Sequence, residues 1–345
     1  MSLAAIAAGA VERLPLPDSL ARAGIALLVH RTRRRLARSA PAAERDFAAA
    51  MPDYAIAEHP QDANAQHYEL PPEFFALILG PQRKYSCCLY DGNDDLAAAE
   101  EQALAETAAH ADLADGQRIL ELGCGWGSLT LWMAEHYPAA EIVVVSNSRP
   151  QRLHIERQAA QRGFRRVRVV TADMNAFDAD TVSPGARFDR IVSVEMFEHM
   201  SNWTGLLDRI HTWLDPQGRL FLHVFAHKAQ PYRFDRADKA DWIAQHFFTG
   251  GIMPSHGLID RLPTPFAVEQ AWRWSGAHYR RTALDWLANY DRNAAAIGDI
   301  LRQVYGREAA LWQRRWRLFF LATAGLFGAC GGAEWGISHY RLRPR

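Results

Sequence analysis

The segment Glu195-Met196-Phe197-Glu198-His199-Met200 gathers two carboxyl groups and an imidazole directly after the apolar run DRIVSV, which reads as a strand. If the segment opens a helix, Glu198 and His199 stand three and four residues from Glu195, and all three share one face. Such a set at the carboxyl edge of a sheet suits removal of a proton from a nucleophile. Glu198 and His199 would take or share that proton, and Glu195 would orient the substrate or hold its positive charge. The alternative is an ordinary helix start whose acids answer the dipole.

A second constellation, Glu121-Leu122-Gly123-Cys124-Gly125-Trp126-Gly127-Ser128, lies where a strand meets the following helix. Glycines there let the backbone approach a ligand closely, and a nucleotide-type cofactor fits. A dinucleotide fingerprint wants a glycine where Ser128 stands. Glu121 would repel a pyrophosphate but can hold an ammonium, directly or through water, so the cofactor should carry an amino acid. The next strand ends in Ser146-Asn147-Ser148 with Gln151 a turn on, neutral groups that can engage ribose hydroxyls. The third ends in Asp173-Met174, a carboxylate for an exocyclic adenine amine beside an amide for a ring nitrogen. Three strand ends in order thus serve methionine, ribose and adenine. Taken singly, the glycine turn could be tight packing and Asp173 a helix cap.

The elements that must position these groups alternate. A helix after Asp94 is followed by strand RILELG, helix SLTLWMAEHY, strand EIVVVS, helix PQRLHIERQAAQR, then strands RVRVVTAD, RFDRIVSV and RLFLHVFAH. This order gives an α/β chain with a doubly wound, mostly parallel sheet. Ahead of it, 1–93 reads as a helical N-terminal segment and a loop. Asp18 is placed to cap an amphipathic helix that ends in the basic run Arg31 to Arg35. Residues 228–312 leave the alternation and read as a helical cap inserted over the sheet's carboxyl edge within a domain of 94–345. The chain closes with a helix, a Gly-rich turn and a strand.

The run ILELGCGWGSLTLWMAEHYP, the upstream KYSCCLY, SNSRPQ and VEMFEHM together resemble the class I S-adenosylmethionine methyltransferases of the cyclopropane-fatty-acid synthase family. PDSLARAGI, HFFTGGIMPS and EWGISHY are similar to its coclaurine N-methyltransferase-like branch. The resemblance implies a Rossmann-like core, S-adenosyl-L-methionine as cofactor, and Tyr85 and Ser86 folded over its methionine end. Gly123, Gly125, Gly127, Asn147, Gln151, Asp173 and Met174 complete the expected cofactor set, with Glu195, Glu198 and His199 as the catalytic one. In the cyclopropane synthases four groups hold bicarbonate. Cys87, Glu198 and His223 resemble three of them, and Arg317-Leu318-Phe319-Phe320 offers no tyrosine for the fourth. That departure favours plain methyl transfer to an amine of a small molecule over modification of an unsaturated phospholipid acyl chain. A catalytically silent partner-binding protein and a nicotinamide oxidoreductase are the remaining alternatives.

Composition narrows the setting. Lys+Arg and Asp+Glu both number 39, a balance that argues against a nucleic-acid binder. Cys87, Cys88, Cys124 and Cys330 have neither disulfide-framework nor zinc spacing, so no metal is expected. MSLAAIAAGAVERL lacks the basic flank of a secretory signal, and the uncharged stretch 318–333 is shorter than the roughly 20 residues of a membrane span. A cytoplasmic protein is the expectation. Its basic helix either packs on its own domain, the preferred reading, or touches a membrane surface peripherally. The aromatics Phe247, Phe248, Trp272, Trp274, Tyr279 and Trp286 serve as cap core or as a substrate wall.

Overall fold

The computed structural model describes residues 17–58, 70–235, 237 and 241–345. The apolar N-terminus and residues 59–69 lie outside the described residues. Val-, Ile- and Phe-rich runs form β1 (Arg118–Leu122), β2 (Glu141–Ser146), β3 (Val167–Thr171), β4 (Phe188–Val194) and β5 (Leu214–His227). A two-stranded pair, β6 (Tyr232–Arg233) and β7 (Ile252–Met253), follows, and β8 (Phe266–Ser275) and β9 (Trp335–Pro344) complete the main sheet. Its seven strands run β3-β2-β1-β4-β5-β9-β8. The first five are parallel, and β9 lies antiparallel between β5 and β8. Strand order reverses between β1 and β4, and at such a switch point a crevice opens beyond the carboxyl ends.

The helices in chain order are α1 (Asp18–Leu36), α2 (Ala43–Ala50), α3 (Pro72–Ala76), α4 (Leu96–His110), α5 (Ser128–His136) and α6 (Arg149–Arg162). They continue as α7 (Trp203–Trp213), α8 (Trp242–His246), α9 (Gly276–Arg292), α10 (Ala294–Tyr305) and α11 (Ala309–Phe327). Local chemistry sets several starts. Asp95, Ser148, Asn202 and Ser275 each accept a backbone N–H of the first turn of α4, α6, α7 and α9. Asp18 does not cap α1 as expected; it is that helix's first residue, and Arg317 on α11 draws its carboxylate away.

Alternation along β1 divides the core. Ile119 joins an apolar layer with α4, α5 and α6, while Leu120 and Leu122 join one with α7 on the opposite face. Glu121 points to the same side as Ile119, into α5. A third cluster lies in the cover: Trp286, Tyr290, Trp316 and Phe320 pack with Phe74 and Phe75 of α3 and reach the β1–α5 turn through Trp126. Helix α1 lies along α11, Ile25 against Gly325, with Leu20 and Leu27 exposed.

The expected helical insertion of 228–312 is interrupted by strands, first the short pair β6 and β7. Phe266–Ser275 is a strand of the main sheet, at its edge, and the helical cover resumes with α9 and runs through α11, past residue 312. An edge strand has one neighbour, so Val268, Glu269, Gln270 and Ala271 are all exposed and no apolar alternation marks it. Among the described residues, no helix is long and apolar enough to cross a membrane.

Candidate active site

The crevice at the switch point encloses about 1170 Å³ of atom-free space, part of it open to solvent. Its floor is the β1–α5 turn. Gly123 sits at φ +82°, and a Cβ on it would come within 2.5 Å of the Met196 side chain. Gly123 and Gly125 line the space, whereas Gly127 stands behind it, capping α5 against Ile155. Glu121 is buried, accepts a hydrogen bond from Thr130 Oγ1 at 2.5 Å, and lines the crevice. Burial pushes its carboxyl up to about 7, so a neighbouring ammonium would favour its ionised form.

Asn147 and Gln151 line the next wall. Gln151 Oε1 accepts from Ser146 Oγ at 2.6 Å, and its buried Nε2 has no partner; buried Ser128 Oγ, at the start of α5, has none either. Unsatisfied buried polar atoms aimed into a crevice fit a ligand rich in hydroxyls and amino groups. Asp173 is not on the wall. Its Oδ1 accepts from the Asn175 backbone and side chain at 2.9 and 3.1 Å, while Ala172 and Met174 on either side face the space.

Tyr85 and Ser86 line the crevice from a loop held by α4. The Glu100 carboxylate accepts the backbone N–H groups of Gly80, Gln82 and Lys84 at 3.0, 2.8 and 3.2 Å. Lys84 is itself buried and donates to Ser86 Oγ at 2.5 Å and to the Cys87 carbonyl at 2.7 Å.

The segment after β4 does not form the expected helix. Glu195 has φ +46°, a left-handed value that costs a non-glycine residue about 1–3 kcal/mol, and only Phe197–His199 make a single 3₁₀ turn. Asn202 then caps α7, so no full helical turn intervenes. The three side chains therefore do not share a face. Glu195 and His199 line the crevice; Glu198 turns beneath it, fully buried, and accepts the Phe225 N–H of β5 at 2.6 Å. Burial, with Glu195 adding repulsion, holds the Glu198 carboxyl well above the ordinary carboxylate range. His199 lies flat on Phe248, ring centroids 4.8 Å apart.

Glu195 is the hub. Cys87 N–H donates to its Oε1 at 2.9 Å, His223 Nε2 pairs with the same oxygen at 3.2 Å, and Tyr279 O–H donates to Oε2 at 2.7 Å. Burial raises its pKa against the pull of Lys84, the Cys87 N–H and the Tyr279 hydroxyl. A tyrosine hydroxyl is thus present, supplied by α9 rather than by the Arg317–Phe320 neighbourhood. Lys84, Glu100 and Thr130 escaped the sequence reading. Its place immediately before Tyr85-Ser86 was the signal for Lys84; the other two had none.

Sheet order and crevice are those of the class I methyltransferase fold, and the likeness to known proteins makes the chain a methyltransferase dependent on S-adenosylmethionine. A family model described as mycolic acid cyclopropane synthetase matches residues 57–329, and the chain belongs to that family. It is similar to (S)-coclaurine N-methyltransferase of Thalictrum flavum subsp. glaucum, 32% identical over 296 residues that cover 84% of this chain and 81% of that one. Cyclopropane-fatty-acyl-phospholipid synthase of Escherichia coli strain K12 is 29% identical over 274 residues, 79% of this chain and 66% of that one. Among solved structures, coclaurine N-methyltransferase bound to N-methylheliamine and S-adenosylhomocysteine superposes with a TM-score of 0.90 at 30% identity, covering 99% of this chain and 100% of that one.

Proposed function

We propose that this methyltransferase delivers its methyl group to an amine nitrogen of a small apolar or aromatic molecule. The observation that carries the reading is the meeting of Glu195 and His199 on one wall of the crevice, beside the turn suited to the cofactor. S-adenosylmethionine, when bound, supplies a methyl group on a positively charged sulfur, open to in-line attack. An amine attacks through its lone pair, and a protonated amine has none, so the chain must accept a proton as well as align the nitrogen. The Glu195 carboxylate attracts the ammonium, and His199, held flat on Phe248, reaches the same space as a second proton acceptor. Glu198 is a positioning residue in this reading: its bond to Phe225 N–H fixes the turn that aims the other two. The amines named for the relatives support the same acceptor class.

Modification of a phospholipid acyl chain is the weaker reading. The Cys87 N–H, the His223 ring and a tyrosine hydroxyl, which the resemblance associates with bicarbonate, converge here on the carboxylate of Glu195. That carboxylate supplies the negative charge from within the chain. A cytoplasmic setting accompanies the amine reading, since all four cysteines are unpaired. The test incubates purified protein and methyl-labelled cofactor with a panel of primary, secondary and tertiary amines, and in parallel with vesicles of unsaturated phospholipid. Label is expected in the amines; label confined to the lipid extract overturns the reading.

A further inference from the structure

Glu195 is also the inner end of a row of hydrogen bonds that leaves the crevice along one face of the sheet. His223 meets it through Nε2 at 3.2 Å and meets His339 Nε2 through its other nitrogen, Nδ1, at 2.8 Å. His339 Nδ1 lies 2.8 Å from His110 Nδ1, and His110 Nε2 lies 2.9 Å from the Glu106 carboxylate. His223 and His339 are 0% and 1% exposed, while the Glu106 side chain is 44% exposed. The row therefore begins at a carboxylate on the crevice, runs across β5 and β9 on the face of the sheet that carries α4, and ends in solvent.

Register builds it. His223 and His339 are direct partners across β5 and β9, and Trp272 is the partner of His339 on β8. His110, the last residue of α4, stacks on Trp272 with centroids 3.8 Å apart. Trp274 packs against both inner imidazoles at 5.4 and 4.4 Å. Apolar walls thus hold three rings in line.

The proton count is informative. Every ring nitrogen of the three histidines takes part, making four links with the two carboxylates. Three neutral imidazoles carry three N–H groups, one too few, and a fourth proton completes the row. With that proton on Glu195, Glu195 donates to His223 Nε2, His223 Nδ1–H to His339 Nε2, His339 Nδ1–H to His110 Nδ1, and His110 Nε2–H to Glu106. If each proton then crosses its own link, Glu106 becomes protonated, Glu195 is a carboxylate again, and the rings have changed tautomer without net charge. Both end states have every link filled. Burial disfavours the charged form of His223 and His339, with Lys84 at the inner end adding to it, and so keeps the rings in the form that both donates and accepts. Glu106 and Arg341 flank His110, and Glu198 stands beside Glu195.

We propose that the row from Glu195 through His223, His339 and His110 to Glu106 is a proton exit, carrying the proton lost by the acceptor to solvent while cofactor and acceptor fill the crevice. The inference rests on the amine reading, because there the N–H bond of the acceptor breaks onto Glu195. The test compares wild type with Glu106→Gln, an exposed change that spares the fold, and His110→Phe, which keeps a ring on Trp272 but removes both nitrogens. With the amine that wild type methylates best, kcat should fall by about tenfold or more in both variants, with KM for cofactor and amine nearly unchanged. The kcat–pH profile should steepen, the solvent deuterium effect should grow, and added imidazole should restore part of the rate. A structural role predicts none of the last three. Wild-type kcat and no response to imidazole in both variants, with amine methylation intact, would overturn the exit alone. If wild type methylates no amine, the amine reading fails and the exit falls with it.

Discussion

Glu121 is a buried carboxylate with one side-chain donor, Thr130, and burial lifts it from the ordinary 4.5 to about 7. The folded chain therefore binds more protons than the unfolded chain over that interval. The associated stability is fully present below about 4.5 and is lost as pH rises through about 7. A bound ammonium reverses the preference, since it favours the ionised carboxylate. Affinity for S-adenosylmethionine should thus rise between pH 6 and pH 7.5, and Glu121→Gln should flatten that rise and weaken binding by about tenfold, the Coulomb and hydrogen-bond value of one such contact. Calorimetric titration across this range checks it. An unchanged slope in the variant would remove Glu121 from the ammonium site.

At the scale of elements, the β1–α5 turn and the segment after β4 are built against each other. Gly123 needs both its left-handed φ and the absence of a Cβ, because Met196 fills the adjacent volume. Gly123→Ala should destabilise the fold by about 1–3 kcal/mol and weaken cofactor binding. Adding Met196→Ala should recover part of the loss, a coupling that denaturant unfolding of the double mutant measures. Elements with strong periodicity were legible from residue order: β1 to β4 and α4 to α6 stand where the alternation of apolar runs places them, and β5 contains the expected RLFLHVFAH but begins earlier, at Leu214. Other features depend on partners distant in sequence. Phe266–Ser275 is a strand because β9 pairs with it, although four successive residues at its centre, Val268 to Ala271, face solvent. Residues 195–200 fail to become a helix because Glu195 is drawn to Cys87, His223 and Tyr279 from three other elements. The cross-strand pairing of His223 and His339 is a property of register, invisible in either segment alone.

Across the whole molecule, the edge strand, the final strand and the helical cover meet at one point. Gly276, where β8 turns into α9, lies so close to β9 and to the end of α11 that a Cβ would stand 2.1 Å from the Trp335 carbonyl and 2.4 Å from that of Phe327. Backbone cannot yield as a side chain can, so Gly276→Ala should cost at least about 3 kcal/mol. The cost should appear in thermal unfolding and also as weaker Tyr279 support of Glu195, read as a lower kcat. A loss of stability below about 1 kcal/mol would mean that the junction has slack. The same junction explains why the site's chemistry was only partly readable: Tyr279 reaches Glu195 because α9 starts there, and its own sequence marks it only as one aromatic among many.

Helix α4 touches both ends of this machinery. Its first turns carry Glu100, whose carboxylate gathers the amides of the loop bearing Tyr85 and Ser86, and its last residue is His110. One helix therefore joins the loop that lines the crevice to the outer end of the histidine row. A slide of that helix by a fraction of a turn would part the loop from Glu100 and break the imidazole contact together, so under the proposed exit the crevice could not loosen without also losing its proton path.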